Sequence, residues 1–354
     1  MKKLKVGIVG VGGISNVHIA GYLARQDVEL YAFCDINETR LKEKGAKYGI
    51  TRLFTDVNEM VKLPELDAVS VCTWNSAHAP CTIAALNAGK HVLCEKPMAM
   101  TVAEAEQMQA AAEKSGKLLM IGFVRRFGND CAILKDFIDK DKLGEIYYSK
   151  ATYLRRHGSP GGWFSDKARS GGGPLIDLGV HVIDLVRYLM GNPKPVSVYG
   201  ATFNKLGNRQ DIKSFSGYAS ESKTNNDICN VEDLAIATIR FDNGAVLSIE
   251  ASFELNMKKP IERIELFGTK AGAAITPNIE ICGTENGYLT NIEFASDTAL
   301  DFENLFENEI SHFADCITLG TECRAPAKDG VEVMKILEAA YKSAELGHEV
   351  ILDR

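Results

Sequence analysis

A glycine-rich turn near the N-terminus constrains the fold more than any other feature of the sequence. The apolar run Leu4–Val9 leads into Gly10-Val11-Gly12-Gly13-Ile14-Ser15, which has the pattern G-x-G-x-x-S, and a helical pattern follows over Ser15–Arg25. In such a turn the first glycine permits the tight change of direction, and the second lets a pyrophosphate approach the helix N-terminus. A small residue such as Ser15 still allows the helix to pack closely on the strand. The turn therefore predicts a dinucleotide-binding fold.

An acidic residue at the end of the second predicted strand indicates which dinucleotide is bound. Asp35 lies about 20 residues beyond Gly12, where dinucleotide-binding folds carry such a residue. Its carboxylate can accept hydrogen bonds from the adenosine ribose hydroxyls and would repel a 2′-phosphate. The next residue is Ile36, not an arginine, so we expect NAD in preference to NADP. The alternative interpretation is that Asp35 only forms a turn.

The order of predicted strands and helices differs between two parts of the chain. Over residues 1–124 short apolar runs alternate with helical patterns, the clearest being Thr101–Ser115 with its capping box and following glycine. This alternation predicts an α/β Rossmann domain with a doubly wound parallel sheet. Over residues 125–354 strand-like runs follow one another, and Asp242-Asn243-Gly244 is a hairpin signal. We therefore predict a C-terminal α+β domain with an open, mainly antiparallel sheet.

Composition and charge exclude several classes of protein. The 354 residues include 40 Lys and Arg against 47 Asp and Glu, a net charge of -7, so we expect neither nucleic acid nor a membrane surface as a partner. Val6–Ala24 lacks charged residues, but its five glycines fit a strand, turn and helix rather than a membrane span. The nine cysteines show no zinc-knuckle spacing, and no signal peptide is recognisable. We expect a cytoplasmic protein without disulfides.

Two further motifs carry side chains suited to proton transfer. Glu95-Lys96-Pro97 follows an apolar strand, and ligands of doubly wound sheets bind beyond the carboxyl ends of the strands. In Gly171–Asp184, three glycines, whose bare backbone could approach a ligand closely, lead into a predicted helix. Asp177 and His181 lie four apart on it and share a face, so the carboxylate could orient a general base. The alternatives are a solvated lysine, a core histidine and a helix-capping aspartate. No third ligand suggests a metal, and we expect none.

Taken together, the glycine-rich turn, Glu95-Lys96-Pro97 and Gly171–Asp184 resemble the glucose–fructose oxidoreductase/inositol dehydrogenase (Gfo/Idh/MocA) family over essentially the whole chain. The resemblance implies hydride transfer between NAD and a hydroxyl carbon of a sugar, sugar derivative or inositol. It implies that His181 is the general base, that Asp177 hydrogen-bonds the same hydroxyl or the imidazole, and that Lys96 stabilises alkoxide charge. His181 and Lys96 are expected to meet across the domain cleft. Homodimers or homotetramers formed through the open sheet are also implied.

The resemblance also implies which residues contact the cofactor. The run Thr73-Trp74-Asn75-Ser76-Ala77-His78 corresponds to a family segment beside the pyrophosphate and the nicotinamide riboside, although Trp74 stands where the family has proline. A helix is predicted after it, over Pro80–Ala88, and His78 could instead cap that helix. The residues expected to contact NAD are Gly10, Gly12, Gly13, Ile14, Asp35, Thr73, Asn75, His78, Glu95 and Lys96.

Candidate substrate residues lie at the start of the second domain, where related dehydrogenases line their substrate pocket. Strand alternation places Tyr153, Arg155 and His157 on one face, and Trp163 follows shortly after. Arg125, at the domain junction, is a further candidate. Aromatic faces and arginine donors suit a pyranose ring, and the arginines also suit a carboxylate or a phosphate. Packing roles for Tyr153 and Trp163 are the alternative.

Two other functions would use the same motifs. A redox-neutral enzyme with tightly bound NAD would process a glycoside through a transient keto-sugar. A regulator would bind NAD and sugar without catalysis, which the presence of Lys96, Asp177 and His181 argues against. The sequence does not separate the redox-neutral enzyme from a dehydrogenase. We predict an NAD-dependent dehydrogenase acting on CH–OH groups.

Overall fold

The chain divides into two units in the computed structural model, which describes residues 3–207, 209, 212 and 218–352. The first unit comprises Met1–Val124 and Glu303–Met334, and the second comprises Arg125–Phe302 and Lys335–Arg354. The sequence analysis placed a boundary at the same point after residue 124 but assigned every later residue to the second domain. Residues 303–334 group with the first unit because they bond to its sheet, where the amide of Ile121 donates to the carbonyl of Ala325 at 2.9 Å.

The first unit is built on a parallel sheet of six strands within the described part of the chain. The strands are β1 Leu4–Val9, β2 Val28–Cys34, β3 Leu53–Phe54, β4 Ala68–Val71, β5 His91–Glu95 and β6 Leu119–Gly122, in the spatial order β3-β2-β1-β4-β5-β6. The helices of this unit are α1 Ser15–Leu23, α2 Glu38–Tyr48, α3 Val57–Met60, α4 Asn75–Asn87, α5 Val102–Ser115 and α9 Phe302–Thr318. The strand order reverses between β1 and β4, and the carboxyl ends of strands at such a point form a dinucleotide crevice.

In the first unit, the side chain of the preceding residue caps the N-terminus of α2, α3 and α5. In α5 the Thr101 hydroxyl accepts the amide of Glu104, and the Glu104 carboxylate accepts the amide of Thr101, both at 3.2 Å, so the predicted capping box is confirmed. The prediction of a helix over Pro80–Ala88 was wrong in its start, because α4 begins at Asn75. Pro80 lies inside α4, although proline favours the first turn of a helix. Its missing N–H leaves one bond of the helical ladder unmade.

The second unit contains a mixed sheet, of which the described residues form nine strands. They are β7 Ile146–Leu154, β8 Pro195–Phe203, β9 Leu234–Phe241, β10 Val246–Ser252, β11 Ile261–Gly268, β12 Ala271–Thr276, β13 Asn278–Glu285, β14 Tyr288–Ile292 and β15 Val350–Ile351. Their order is β14-β13-β12-β11-β7-β10-β9-β8-β15. The described neighbours pair antiparallel except β10 with β7, which are parallel. The predicted fold class, a Rossmann domain followed by a mainly antiparallel sheet, is confirmed.

Among the described residues, helices pack on one face of this sheet and leave the other uncovered. The helices are α6 Asn129–Asp139, α7 Lys167–Ser170, α8 Val180–Leu189 and α10 Ala327–Leu346, and the unit boundary at residue 334 falls inside α10. Along β10, Leu247 and Ile249 are buried whereas Glu250 is exposed, as alternation requires. We call the uncovered side the open face and define it by Lys150, Thr152, Tyr199, Ile236, Thr238, Ser248 and Glu250, which surround one shallow depression.

Two further observations concern membranes and thiols. None of the helices in the described ranges has the length and apolar character needed to cross a membrane. All nine cysteines lie among the described residues, and each is a free thiol.

Candidate active site

The glycine-rich turn connects β1 to α1 at the carboxyl edge of the parallel sheet. Gly10 adopts φ +84°, and a Cβ there would lie 2.7 Å from the carbonyl oxygen of Cys72, so only glycine fits. At Gly12 a Cβ would meet no heavy atom of the described residues within 4 Å. The Ser15 hydroxyl donates to the Gly12 carbonyl at 2.6 Å and holds the turn on the first turn of α1. The open space at Gly12, beside a helix N-terminus, fits the pyrophosphate of a dinucleotide.

Asp35 anchors this turn to the end of β2. One carboxylate oxygen accepts the amide of Val11 and the other accepts the amide of Asn37, each at 2.8 Å. The guanidinium of Arg40 on α2 lies 3.8 Å from the first of these oxygens. A carboxylate has about four acceptor sites, so the two amides leave capacity for ribose hydroxyls. The residue is therefore more than a turn former, because it links the glycine-rich turn to the neighbouring strand.

His78 joins two of the segments predicted to contact the cofactor. It lies inside α4 with no exposed surface; its Nδ1 donates to the carbonyl of Pro97 at 2.7 Å, and its Nε2 lies 3.1 Å from the carbonyl oxygen of Thr73. Burial lowers the pKa of His78 below 6.5, which favours the neutral ring at pH 7. His78 therefore holds the loop after β4 to the loop after β5, and does not cap α4. Asn75, at the start of α4, is also buried.

Glu95 forms a buried pair with His18, a residue that no motif singled out. One Glu95 oxygen lies 2.8 Å from Nε2 of His18 on α1, and the other accepts the amide of Lys96 at 3.1 Å. Burial acts to raise the pKa of Glu95, but the His18 hydrogen bond and the charges of His18 and Lys96 outweigh it and lower the pKa. The ionised carboxylate thus fixes the backbone of Lys96, whose side chain is partly exposed. The only signal for His18 in the sequence is a polar residue within an apolar helix.

Two of the three consecutive glycines that open the Gly171–Asp184 segment have a packing role that differs from the expected one. A Cβ on Gly172 would lie 2.1 Å from the hydroxyl of Tyr341, and a Cβ on Gly173 would lie 2.4 Å from the carbonyl oxygen of Glu232. Protein atoms therefore occupy the space that the sequence analysis left for a ligand. The correction concerns these two glycines only, since Gly171 is required by its φ of +82°.

Glu232 and Tyr341 hold the start of the segment that carries Asp177 and His181. The Glu232 carboxylate accepts the amides of Gly173 and Leu175 at 2.9 and 3.2 Å, and the Tyr341 hydroxyl donates to it at 2.8 Å. Burial raises the pKa of both Glu232 and Tyr341 above their usual values. No sequence motif indicates either residue, because Glu232 lies 59 positions from Gly173 and Tyr341 lies 109 positions from Glu232.

Asp177 and His181 lie on either side of a change in helix geometry. Asp177 is in a π-helical turn over Leu175–Gly179, whereas His181 is the second residue of α8. Asp177 is 9% exposed, and His181 is half-buried. Single π-helical turns inside helices recur at functional sites. The turn changes the four-residue spacing from which the sequence analysis placed the two side chains on one face.

Three of the predicted site residues line one cavity of the second unit. Arg125, Tyr153 and His181 surround a space of about 560 Å³, together with Glu262, which accepts from the Arg125 guanidinium at 2.8 Å. Apolar side chains complete the wall: Val182, Pro260, Ile261, Ile264, Ile275, Pro277, Ala299, Leu300 and Phe302. A mostly apolar wall with a few convergent polar groups is typical of small-molecule sites.

The other predicted substrate residues do not line this cavity. β7 ends at Leu154, so the strand alternation that grouped Arg155 and His157 with Tyr153 does not reach them. Arg155 places its guanidinium over the Tyr153 ring at 5.3 Å, and Nδ1 of His157 lies 2.7 Å from the Glu254 carboxylate. Trp163 stacks on Phe164 with ring centroids 3.8 Å apart. Arg155 therefore contacts a residue of the cavity wall, Tyr153, without lining the cavity itself. His157 and Trp163 contact residues outside the wall.

Comparison with known proteins defines the class to which the chain belongs. A model of the oxidoreductase family with an NAD-binding Rossmann fold matches residues 4–123, and a model of the same family's C-terminal alpha/beta domain matches residues 135–352. The chain belongs to this Gfo/Idh/MocA family of NAD-binding oxidoreductases. The resemblance and the NAD-binding fold predicted from the sequence are confirmed.

Individual relatives cover nearly the whole chain. The D-glucoside 3-dehydrogenase of Escherichia coli (strain K12) is 36% identical over 99% of this chain and 97% of the relative. The myo-inositol 2-dehydrogenase of Thermotoga maritima is 26% identical over 99% of both chains. Among solved structures, the aldose-aldose oxidoreductase from Caulobacter crescentus complexed with glycerol has a TM-score of 0.79 at 28% identity, covering 99% of this chain and 100% of that one.

Proposed function

We propose that this chain is an NAD-dependent dehydrogenase that oxidises a hydroxyl carbon of a sugar, sugar derivative or inositol. The observation that carries the proposal is the cavity where His181, Tyr153 and Arg125 meet. An imidazole, a phenol, a guanidinium and the Glu262 carboxylate in a mostly apolar wall suit a ring that bears several hydroxyls. The relatives named for D-glucosides and myo-inositol support the same substrate class.

The catalytic roles in this proposal fall to three residues. When bound, NAD would supply the hydride acceptor, its nicotinamide ring. His181 takes the proton of the substrate hydroxyl, and Asp177 hydrogen-bonds that hydroxyl or the imidazole. Lys96 supplies a cation that stabilises the developing alkoxide. The substrate is held by Tyr153 and Arg125, while Arg155 acts by supporting the ring of Tyr153.

The cofactor residues in this proposal divide into contacting and positioning groups. The turn from Gly10 to Ile14, which includes Gly13, contacts the pyrophosphate. Asp35 contacts the adenosine ribose. We assign Thr73, Asn75 and Lys96 to the nicotinamide end of the dinucleotide. His78 and Glu95 are positioning residues, because their polar atoms are bonded to Pro97 and to His18. We propose that the first unit binds NAD and the second binds substrate.

Replacing Asp35 with serine is expected to weaken the preference for NAD over NADP. The wild-type carboxylate repels a 2′-phosphate, and Asp35→Ser removes that negative charge, 3.8 Å from the Arg40 guanidinium. We expect the wild type to bind NAD more tightly and the variant to gain affinity for NADP. Isothermal titration with both dinucleotides checks this. Tighter binding of NADP by the wild type would contradict the assignment.

The substrate class is tested with purified enzyme, NAD and a panel of D-glucosides, free aldoses, inositols and uronates. We expect NADH to accumulate with members of one class, measured by absorbance and by chromatography of the oxidised product. A panel on which no compound yields NADH would overturn the proposal. If a glycoside were consumed without net NADH, the redox-neutral enzyme with tightly bound NAD would replace it.

We propose that the chain forms a homodimer or homotetramer through the open face. Tyr199 and Ile236 place apolar surface between the charged side chains of Lys150 and Glu250, and a symmetric copy could cover this mixed surface. Multi-angle light scattering at micromolar concentration is expected to give a mass of two or four chains. A monodisperse monomer would contradict this prediction. We also propose a cytoplasmic location, where nine thiols stay reduced.

A further inference from the structure

Three side chains of the first unit form a cluster that the proposed reaction does not use. His312 and Cys316 lie one helical turn apart on α9, and Cys323 belongs to the loop that follows this helix. One ligand atom from each residue lies within 4.8 Å of the other two. Nε2 of His312 is 3.4 Å from Sγ of Cys316. No metal is expected from the sequence, because the cysteines lack zinc-knuckle spacing and no third ligand accompanies Asp177 and His181. The cluster described here joins a helix to a loop.

The backbone around the cluster holds the three side chains in place. Residues four apart on a helix share a face, which brings His312 and Cys316 together. Gly320 adopts φ +70° where the chain turns back after α9. The amide of Arg324 then donates to Nε2 of His312 at 3.0 Å, and the carbonyl of the buried Ala325 accepts the amide of Ile121 on β6 at 2.9 Å. The loop that carries Cys323 is thus anchored to α9 and to the parallel sheet.

We propose that His312, Cys316 and Cys323 bind one Zn²⁺ ion. Two thiolates and an imidazole are soft and borderline ligands, which favour zinc over magnesium or calcium. Around a tetrahedral zinc ion with ordinary bond lengths, the ligand nitrogen and sulfur lie about 3.6 Å apart. The 3.4 Å between His312 and Cys316 is close to that separation. Water supplies the fourth ligand.

Zinc would compete with the Arg324 amide for the lone pair of the His312 Nε2. The loss of this one hydrogen bond opposes binding, and attraction between two thiolates and a divalent cation offsets it. The ion would tie the end of α9 to the loop that carries Cys323. Its role is therefore to stabilise this part of the first unit, separately from the proposed dehydrogenase reaction.

The test is a zinc titration of the full-length chain after reduction and chelator treatment, in competition with a chromophoric zinc chelator. We expect one equivalent to bind, with affinity at least about 100-fold weaker in Cys316→Ser and in Cys323→Ser. Cys282→Ser, which removes an exposed thiol on β13, is the matched control and should bind as the wild type does. Substitution with Co²⁺ is expected to give the visible bands of a tetrahedral thiolate site, absent in both ligand variants.

Binding is measured without NAD or substrate, so its outcome is independent of the proposed function. Melting curves of the metal-free proteins show whether each variant folds, and Cys323→Ser, located in a loop, serves if Cys316→Ser does not. Zinc affinity unchanged by both variants would overturn the proposal. So would the absence of zinc binding together with a Cys316–Cys323 disulfide after mild oxidation, which would identify the pair as a redox couple.

Discussion

Replacing His181 with alanine is expected to lower kcat by a factor of about 10²–10⁴ and to leave the affinity for NAD unchanged. The imidazole lines the cavity of the second unit, whereas the NAD-binding family model matches residues 4–123. The variant loses the proposed proton acceptor, and it keeps the glycine-rich turn and Asp35. Initial rates of NADH formation and isothermal titration with NAD measure the two quantities separately.

Three further variants serve as a control and as comparisons for His181→Ala. His348→Gln is the matched control, because His348 is exposed near the C-terminal end and contacts its neighbour's carbonyl. Lys96→Ala should lose activity to a similar extent, and Asp177→Asn should lose less, because an amide still forms hydrogen bonds. If His181→Ala kept more than about a tenth of the activity, another group such as Tyr153 or Lys96 would have to take the proton.

Breaking the ion pair between Arg126 and Asp184 is expected to destabilise the protein by about 3–5 kcal/mol. Nε and Nη2 of Arg126 donate to the two oxygens of Asp184 at 2.9 and 2.6 Å, and the side chains are at most 1% exposed. The guanidinium also lies over the ring of Tyr188 at 4.7 Å. Removing one partner leaves a buried charge without its counter-ion. The free energy of unfolding of Arg126→Met, measured in urea, checks this expectation.

The double variant Arg126→Met with Asp184→Leu separates the cost of a lone buried charge from that of lost packing. It should recover much of the stability, because two apolar side chains avoid the desolvation of both ions. Glu38→Gln is the surface control, since the pair of Glu38 with Lys42 is exposed and should change stability by less than about 1 kcal/mol. A loss in Arg126→Met as small as that of the surface control would contradict the prediction.

Within the candidate site, the sequence was most informative about features that depend on residues close together in the chain. Gly10 and Gly12 belong to a turn whose backbone demands are local, and Asp35 follows from its position at the end of the next strand. The order of three motifs along the chain was enough to indicate the family. The same reasoning named Arg125, Tyr153 and His181, which lie at one cavity.

Sequence reasoning failed where a side chain's neighbours come from distant parts of the chain. Arg155 and His157 were grouped with Tyr153 by alternation, which β7 does not continue past Leu154. Gly172 and Gly173 were assigned to ligand approach, but their space is filled by Tyr341 and Glu232. No local pattern marks a glycine that faces a tyrosine of α10.

The sequence by itself therefore determined the elements, the Rossmann topology and the dinucleotide turn, because capping, periodicity and turn geometry act over a few residues. Helix α5 begins and ends where its cap residues predict. Tertiary structure alone decided that Glu95 pairs with His18, 77 positions away, and that Glu232 holds the start of the Asp177 segment. It also brought Cys323 to the face of α9 that carries His312 and Cys316. These contacts depend on how the chain folds back on itself. A buried polar group forms a hydrogen bond, and the fold determines which partner lies within reach.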